Sequence, residues 1–189
     1  PESILDSQTN LPVNKPSTVK LDLTKLVVLI YHTHATESYQ PVNTGNFHSV
    51  EEAGTVREVG EALTQALEAK GIQVIHDKTL HDSPSYSESY TRSLETMTKL
   101  LAQYPSAKII IDLHRDAASY NGNKAKTLVI DGKTAADFSL VIGTKNANAS
   151  QLSVFAEYIN HTANQLYPDF GGKIITKPYK FNEYLPDYY

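Results

Sequence analysis

Residues 26–39 read Leu26-Val27-Val28-Leu29-Ile30-Tyr31 and then His32-Thr33-His34-Ala35-Thr36-Glu37-Ser38-Tyr39. The first six are apolar, rich in β-branched side chains and too few for a helix of ordinary length. They predict a strand buried on both faces, as in a sheet covered by helices on either side. In such sheets ligands bind beyond the carboxyl ends of the strands, so the histidines that follow Tyr31 stand where chemistry is expected.

The pattern recurs downstream. Thr55-Val56-Arg57-Glu58 is a capping box that opens a helix whose inward face is Val56, Val59, Leu63, Ala66 and Leu67, and Gly71 closes it. Ile72–Ile75 is a second strand. From Ser89 to Tyr104, Leu94, Met97, Leu100, Leu101 and Tyr104 repeat at helical spacing before Pro105. Lys108-Ile109-Ile110-Ile111-Asp112-Leu113 is a third buried-type strand, and it runs into His114-Arg115-Asp116. TLVID (127–131), FSLVIG (138–143) and KIITK (173–177) are further strand candidates around a last helix from Ser150 to Leu166, with Leu152, Phe155, Ile159, Ala163 and Leu166 inward. Strands alternating with helices specify an α/β fold with a mostly parallel central sheet flanked by helices. Residues 1–20, with Pro1, Pro12 and Pro16 among Ser, Thr and Asn, read as a linker or docked arm, and 21–189 as one domain.

Composition narrows the function. The 189 residues carry 17 basic and 21 acidic side chains for a net charge of −4, with no basic run, which argues against a nucleic-acid footprint or a polybasic membrane patch. Cysteine is absent, excluding disulfides, thiolate zinc sites, iron–sulfur clusters and a cysteine nucleophile. No stretch reaches the roughly 18 apolar residues of a membrane span. There is no GxSxG elbow, P-loop or GxGxxG. A metal-dependent TIM barrel, which also carries HxH after its first strand, needs about 250 residues and eight βα units, more than this chain supplies. The 12 tyrosines, with no tryptophan, suit a wet sugar or peptide groove and equally a half-exposed core edge.

Two strand exits bearing histidine point to a metal. Neutral imidazoles are the usual protein ligands of Zn²⁺, and a catalytic zinc takes three protein ligands and leaves a position for water. Alternation along the third strand sets Ile110, Asp112 and His114 on one face and Ile109, Ile111 and Leu113 on the other, so Asp112 stands beside His114 as a supporting or substrate-facing carboxylate. With one histidine of the His32/His34 pair and His114 as ligands, the third is the pair's other histidine, His48, Glu37, or the acidic pair Glu51 and Glu52. His76 and His81 lie past the second strand, and His161 reads as solvated on the last helix.

Taken in order, VVLIYHTHATESY (27–39), VGEALTQALEAKGIQVIHDKTLHD (59–82), SYSESYTRSLETM (85–97), IIIDLHRDA (109–117) and YKFNEYL (179–185) resemble the stage II sporulation protein P family. That family is similar in fold to zinc-dependent N-acetylmuramoyl-L-alanine amidases. The resemblance implies a zinc hydrolase that cleaves the amide between stem peptide and glycan in peptidoglycan, with endopeptidase activity as well. It also implies a place in engulfment during endospore formation, outside the cytoplasm at the septum between mother cell and forespore. Sporulation proteins D and M are the implied partners, and a membrane anchor is expected outside this segment, whose start at Pro1 looks like an excision.

By the same resemblance His34 and His114 fall on the outer zinc ligands. The middle ligand falls on His48 where the amidases carry Glu, with Glu51 or Glu52 as replacements. His32 is a neighbour of the site, Glu37 a supporting acid or substitute ligand, and Arg115 faces a substrate carboxylate or pairs with Asp116. The general-base Glu of the family is expected beyond Tyr189, with Glu183 the weaker candidate within the chain. The loops 40–53 and 83–90 are expected to line the substrate groove.

Overall fold

A computed structural model describes residues 16, 21–40, 42, 45, 47–116 and 127–178. The expected arm, apart from Pro16, and Glu183 with the 179–185 motif lie outside the described residues.

The apolar run forms strand β1 (Leu26–Tyr31), buried along its whole length. It is the middle strand of a three-stranded sheet flanked by β2 (Gln73–His76) and β3 (Ile109–Asp112). Both pairings are parallel, with Ile30 opposite His76 and Tyr31 opposite Asp112. Helix α1 (Val56–Glu68) links β1 to β2, and α2 (Ser89–Gln103) links β2 to β3 after a 3₁₀ turn at Tyr86–Glu88. Side chains of β1 leave on both faces. Leu29 and Tyr31 pack with Met97, Leu101 and Ile110 beneath α2, while Val28 and Ile30 pack with Leu63, Leu67, Ile109 and Ile111 beneath α1. The alternation expected for β3 is therefore observed.

Thr55 caps α1 through its hydroxyl, which accepts from Arg57 N at 3.3 Å, while Glu58 accepts from Gly54 N at 2.6 Å rather than from the cap residue's own N–H. The buried line of α1 runs Val56, Gly60, Thr64 with Leu63 and Leu67 beside it; Val59, expected inward, is 42% exposed. Gly60 sets that line, because a Cβ there would lie 2.5 Å from His76 Nε2. Only a glycine lets the helix approach so closely.

The later strands pair among themselves. Asp131 and Gly132 both take positive φ, 48° and 76°, and join β4 (Thr127–Ile130) to β5 (Lys133–Ala136) in an antiparallel hairpin. The strand at 133–136 is absent from the sequence reading, although Asp-Gly between two short runs is a hairpin signal. Helix α3 (Ala149–Leu166) connects the parallel pair β6 (Phe138–Gly143) and β7 (Gly171–Lys177). Its apolar stripe is only partly covered, and Leu166 is 68% exposed. The expected α/β class holds, with its parallel strands divided between a central three-stranded sheet and this β6–α3–β7 unit. Among the described residues no helix is long and apolar enough to cross a membrane.

Candidate functional site

The parallel ladder continues past the strands: Leu113 N donates to Tyr31 O at 2.9 Å and Asp77 N to Ile30 O at 2.8 Å. These bonds hold the three strand exits together, and six histidines gather there, His76 from the end of β2 and His32, His34, His48, His81 and His114 from the segments that follow the strands.

His34 is 5% exposed. Its ring lies 5.2 Å from that of His114, centroid to centroid, stacks on Tyr86 at 4.2 Å and meets the edge of Tyr90 at 5.3 Å. Its Nδ1 is buried without a hydrogen-bond partner. Burial, reinforced by the neighbouring His114, lowers the His34 pKa, so the ring is a neutral imidazole with a buried nitrogen to offer.

His114 is built differently. Its Nε2 is 3.0 Å from Asp112 Oδ1 and its Nδ1 3.6 Å from Glu37 Oε2. Burial works against its charge, but the two carboxylates prevail and push its pKa up to about 10. Asp112 is itself held by Thr33, whose N–H donates to Oδ1 at 2.8 Å and whose hydroxyl donates to Oδ2 at 2.6 Å. Burial opposes ionisation of Asp112, yet His114 and Thr33 bring its pKa below the usual carboxylate range. Glu37 Oε2 accepts from Arg115 N at 2.7 Å, so one carboxylate spans the backbone after β3 and the His114 ring.

His48 sits on the loop facing this cluster, bridged to Glu37 through the backbone. Its Nδ1 is 2.9 Å from Thr36 Oγ1, and its ring lies 6.1 Å from that of Tyr86. The loop is knit by Arg57, a buried guanidinium that donates to Ala35 O at 2.9 Å and to Ser49, Val50 and Glu51 carbonyls at 3.1, 3.1 and 2.7 Å. Glu51 and Glu52 are exposed, and Glu52 pairs with Lys78 at 2.7 Å.

His32 belongs to a separate network. Its Nδ1–H donates to Leu113 O at 2.8 Å, which leaves Nε2 as the acceptor for His76 Nε2–H at 2.8 Å. Burial drives its pKa down to about 4, so it is a neutral strut. His81 Nδ1–H donates to His32 O at 2.8 Å and its Nε2 accepts from Thr96 Oγ1 at 2.9 Å. Sequence reasoning left His76 and His81 without a role. Nothing local marks them, because their place follows from the β1–β2 register. Tyr86 and Tyr90 are the part of the 83–90 loop that reaches the candidate site, and His161 is half-buried on α3 rather than fully solvated.

The family model described as stage II sporulation protein P (SpoIIP) matches residues 2–189. The chain belongs to the stage II sporulation protein P family. It is 33% identical over 165 residues to the stage II sporulation protein P of Bacillus subtilis (strain 168), an alignment covering 81% of this chain and 40% of that relative. The chain thus spans less than half the length of that protein. No solved structure matches it.

Of the ligands that the likeness to stage II sporulation protein P implied, the structure brings His34 and His114 together, with Asp112 and Glu37 behind His114. Two imidazoles on one tetrahedral zinc, with bonds of about 2.0–2.1 Å, have ring centroids about 5 Å apart; the observed 5.2 Å and the unpartnered His34 Nδ1 fit that donor chemistry. The third donor is not assembled: among the described residues no group of three His, Asp or Glu side chains stands ready for a metal ion. Arg115 turns its guanidinium toward Phe47. Its Nη2 donates to Phe47 O at 3.1 Å and its Cζ lies 5.8 Å over the Phe47 ring.

Proposed function

We propose that this sporulation-family chain is a zinc-dependent peptidoglycan hydrolase domain, an N-acetylmuramoyl-L-alanine amidase with endopeptidase activity, acting in engulfment during endospore formation. The observation that carries the reading is the meeting of His34 and His114 at the carboxyl ends of β1 and β3, one with a free buried nitrogen and the other backed by carboxylates.

His34 and His114 would hold the ion, with His48 as third ligand and Glu37 as the nearer rival. When bound, zinc lowers the pKa of a water toward about 7 and polarises the scissile carbonyl. Asp112 fixes the ring of His114 as carboxylates behind metal-bound imidazoles do, and Thr33 fixes Asp112. Tyr86, 55% exposed while stacked on His34, forms one wall of the approach. The proton acceptor is a carboxylate outside the described residues, Glu183 being the candidate within the chain. Stage II sporulation proteins D and M are the proposed partners, and the septal space outside the cytoplasm is the proposed location, with a membrane anchor elsewhere in the full-length protein.

The test is metal content by mass spectrometry and cleavage of purified peptidoglycan by the full-length protein, its chelated form, and His34→Ala and His114→Ala. Expected are one zinc per chain, loss of cleavage on chelation with recovery on zinc, and loss of both metal and activity in the variants. Absence of stoichiometric metal together with full cleavage by both variants would sink the reading.

A second reading rests on the unassembled third donor: a module that binds peptidoglycan or a partner without hydrolysis. It expects glycan pull-down that is insensitive to chelator.

A further inference from the structure

The guanidinium of Arg115 is the unabsorbed charge of the site. Its Nε–H is buried with no hydrogen-bond partner among the described residues, where the guanidinium's hydrogen bond is from Nη2–H to Phe47 O at 3.1 Å. Glu37 spends Oε2 on the Arg115 backbone N–H and not on the guanidinium. Its face is occupied by Phe47, which holds the guanidinium plane in place. The charge is nevertheless felt locally, since it favours the ionised forms of Tyr39 and Tyr86, against the burial that raises both their pKa values. A half-buried guanidinium with unmatched donors is costly unless something arrives to pair with it. Arg57 shows the contrast: it is buried more deeply, and four carbonyl bonds satisfy it.

Position decides what arrives. Arg115 follows His114 directly, and Phe47, against which it packs, precedes His48. In space, Glu37 Oε2 ties the Arg115 backbone N–H to the His114 ring, and the guanidinium acts on Tyr86, the ring stacked on His34, so a ligand whose amide lies over the His34–His114 pair comes near the guanidinium. The planar fork of five donors matches a carboxylate, which it can take in bidentate fashion.

We infer that Arg115 receives a free carboxylate of the bound peptide close to the amide held over His34 and His114, and so selects acidic stem peptides over their amidated forms. The inference rests on the proposed function and names the substrate class of that site. In peptidoglycan the group of this kind is the α-carboxylate of the γ-linked D-glutamate, one residue from the scissile lactyl–alanine amide, which some cell walls carry as the neutral carboxamide.

The experiment uses full-length protein, zinc-loaded, with Arg115→Gln and Arg115→Lys. Two paired probes differ only in that group: N-acetylmuramoyl peptides with D-isoglutamate or D-isoglutamine, assayed for cleavage, and the corresponding N-acetyl tripeptides, assayed for binding. A charge-assisted pair corresponds to a preference of about 10-fold to 100-fold. Expected is that preference for the carboxylate form in kcat/KM and in tripeptide affinity. Arg115→Gln should abolish it and Arg115→Lys retain part of it, with zinc content unchanged in both. A merely structural role for Arg115 would weaken both probes equally and leave the ratio intact, which overturns the inference. Cleavage by the wild type without discrimination overturns it also, while leaving the hydrolase standing. Arg115-dependent binding of the acidic tripeptide with no cleavage of either substrate upholds the inference and removes the hydrolase. No binding and no cleavage removes both.

Discussion

Gly60→Ala measures how tightly the strand exits are clamped. A Cβ at residue 60 would lie 2.5 Å from His76 Nε2, 2.7 Å from its Cε1 and 3.0 Å from His32 Nε2. The His76 ring must withdraw by roughly 1 Å to restore van der Waals contact, within a site where overpacking costs about 1–3 kcal/mol. That movement stretches the 2.8 Å bond between two buried imidazoles, a further cost of about 1 kcal/mol. Against it stands the gain of roughly 1 kcal/mol from alanine over glycine in a helix interior. The net expectation is a loss of about 1–3 kcal/mol. Urea unfolding followed by circular dichroism reads it as a midpoint lowered by roughly 1 M at unchanged slope. With His76→Ala in the background the nearer ring is gone and His32 Nε2 at 3.0 Å is the remaining close contact, so the same substitution should cost less than in the wild type by about 1 kcal/mol or more. An unchanged midpoint for Gly60→Ala, or an equal loss in both backgrounds, would refute the packing argument.

Arg57→Met removes four donations to the carbonyls of Ala35, Ser49, Val50 and Glu51 and should cost about 3 kcal/mol; limited proteolysis is expected to cut the 40–53 loop first. The neutral, buried His32, with its pKa near 4, makes stability fall with acid: the unfolded chain takes the proton from about pH 6.5 downward and the native chain only near 4. Unfolding midpoints measured across that interval should decline in the wild type and decline less in His32→Asn. His114 has the opposite sign. Its pKa near 10 gives metal-free protein a stabilisation that is complete below about pH 6.5 and lost as pH rises through 10. Asp112→Asn should lower that pKa, seen as an earlier His114 imidazole titration by nuclear magnetic resonance, and reduce the alkaline loss.

Much of this was legible locally. The β1 run and the Ile109–Asp112 alternation declare buried strands because side chains alternate on a two-residue period, and both strands were found with their faces as expected. The helix limits followed from Thr55, Gly71 and Pro105 in the same way. The meeting of His34 and His114 was also readable, since parallel strands must deliver their carboxyl ends to one edge. The hairpin at Asp131-Gly132 was equally available in the residues and is absent from the reading, the β5 segment Lys133–Ala136 being too polar to suggest a strand by hydropathy.

What the residues alone determined is therefore the set of elements, the strand exits that carry histidine, and membership of a family whose motifs survive in order. Only the tertiary structure decided which polar groups meet. The Ile30–His76 register places His76 against His32, and a one-residue slip would face it elsewhere. Arg57 folds back over the carbonyls of a loop that precedes it, Glu52 turns away to Lys78, and the Arg115 guanidinium settles on Phe47. Periodicity is a property of one segment and can be read along it. Pairing of polar atoms depends on register, helix approach and loop path between segments, and those are set by packing the whole chain at once.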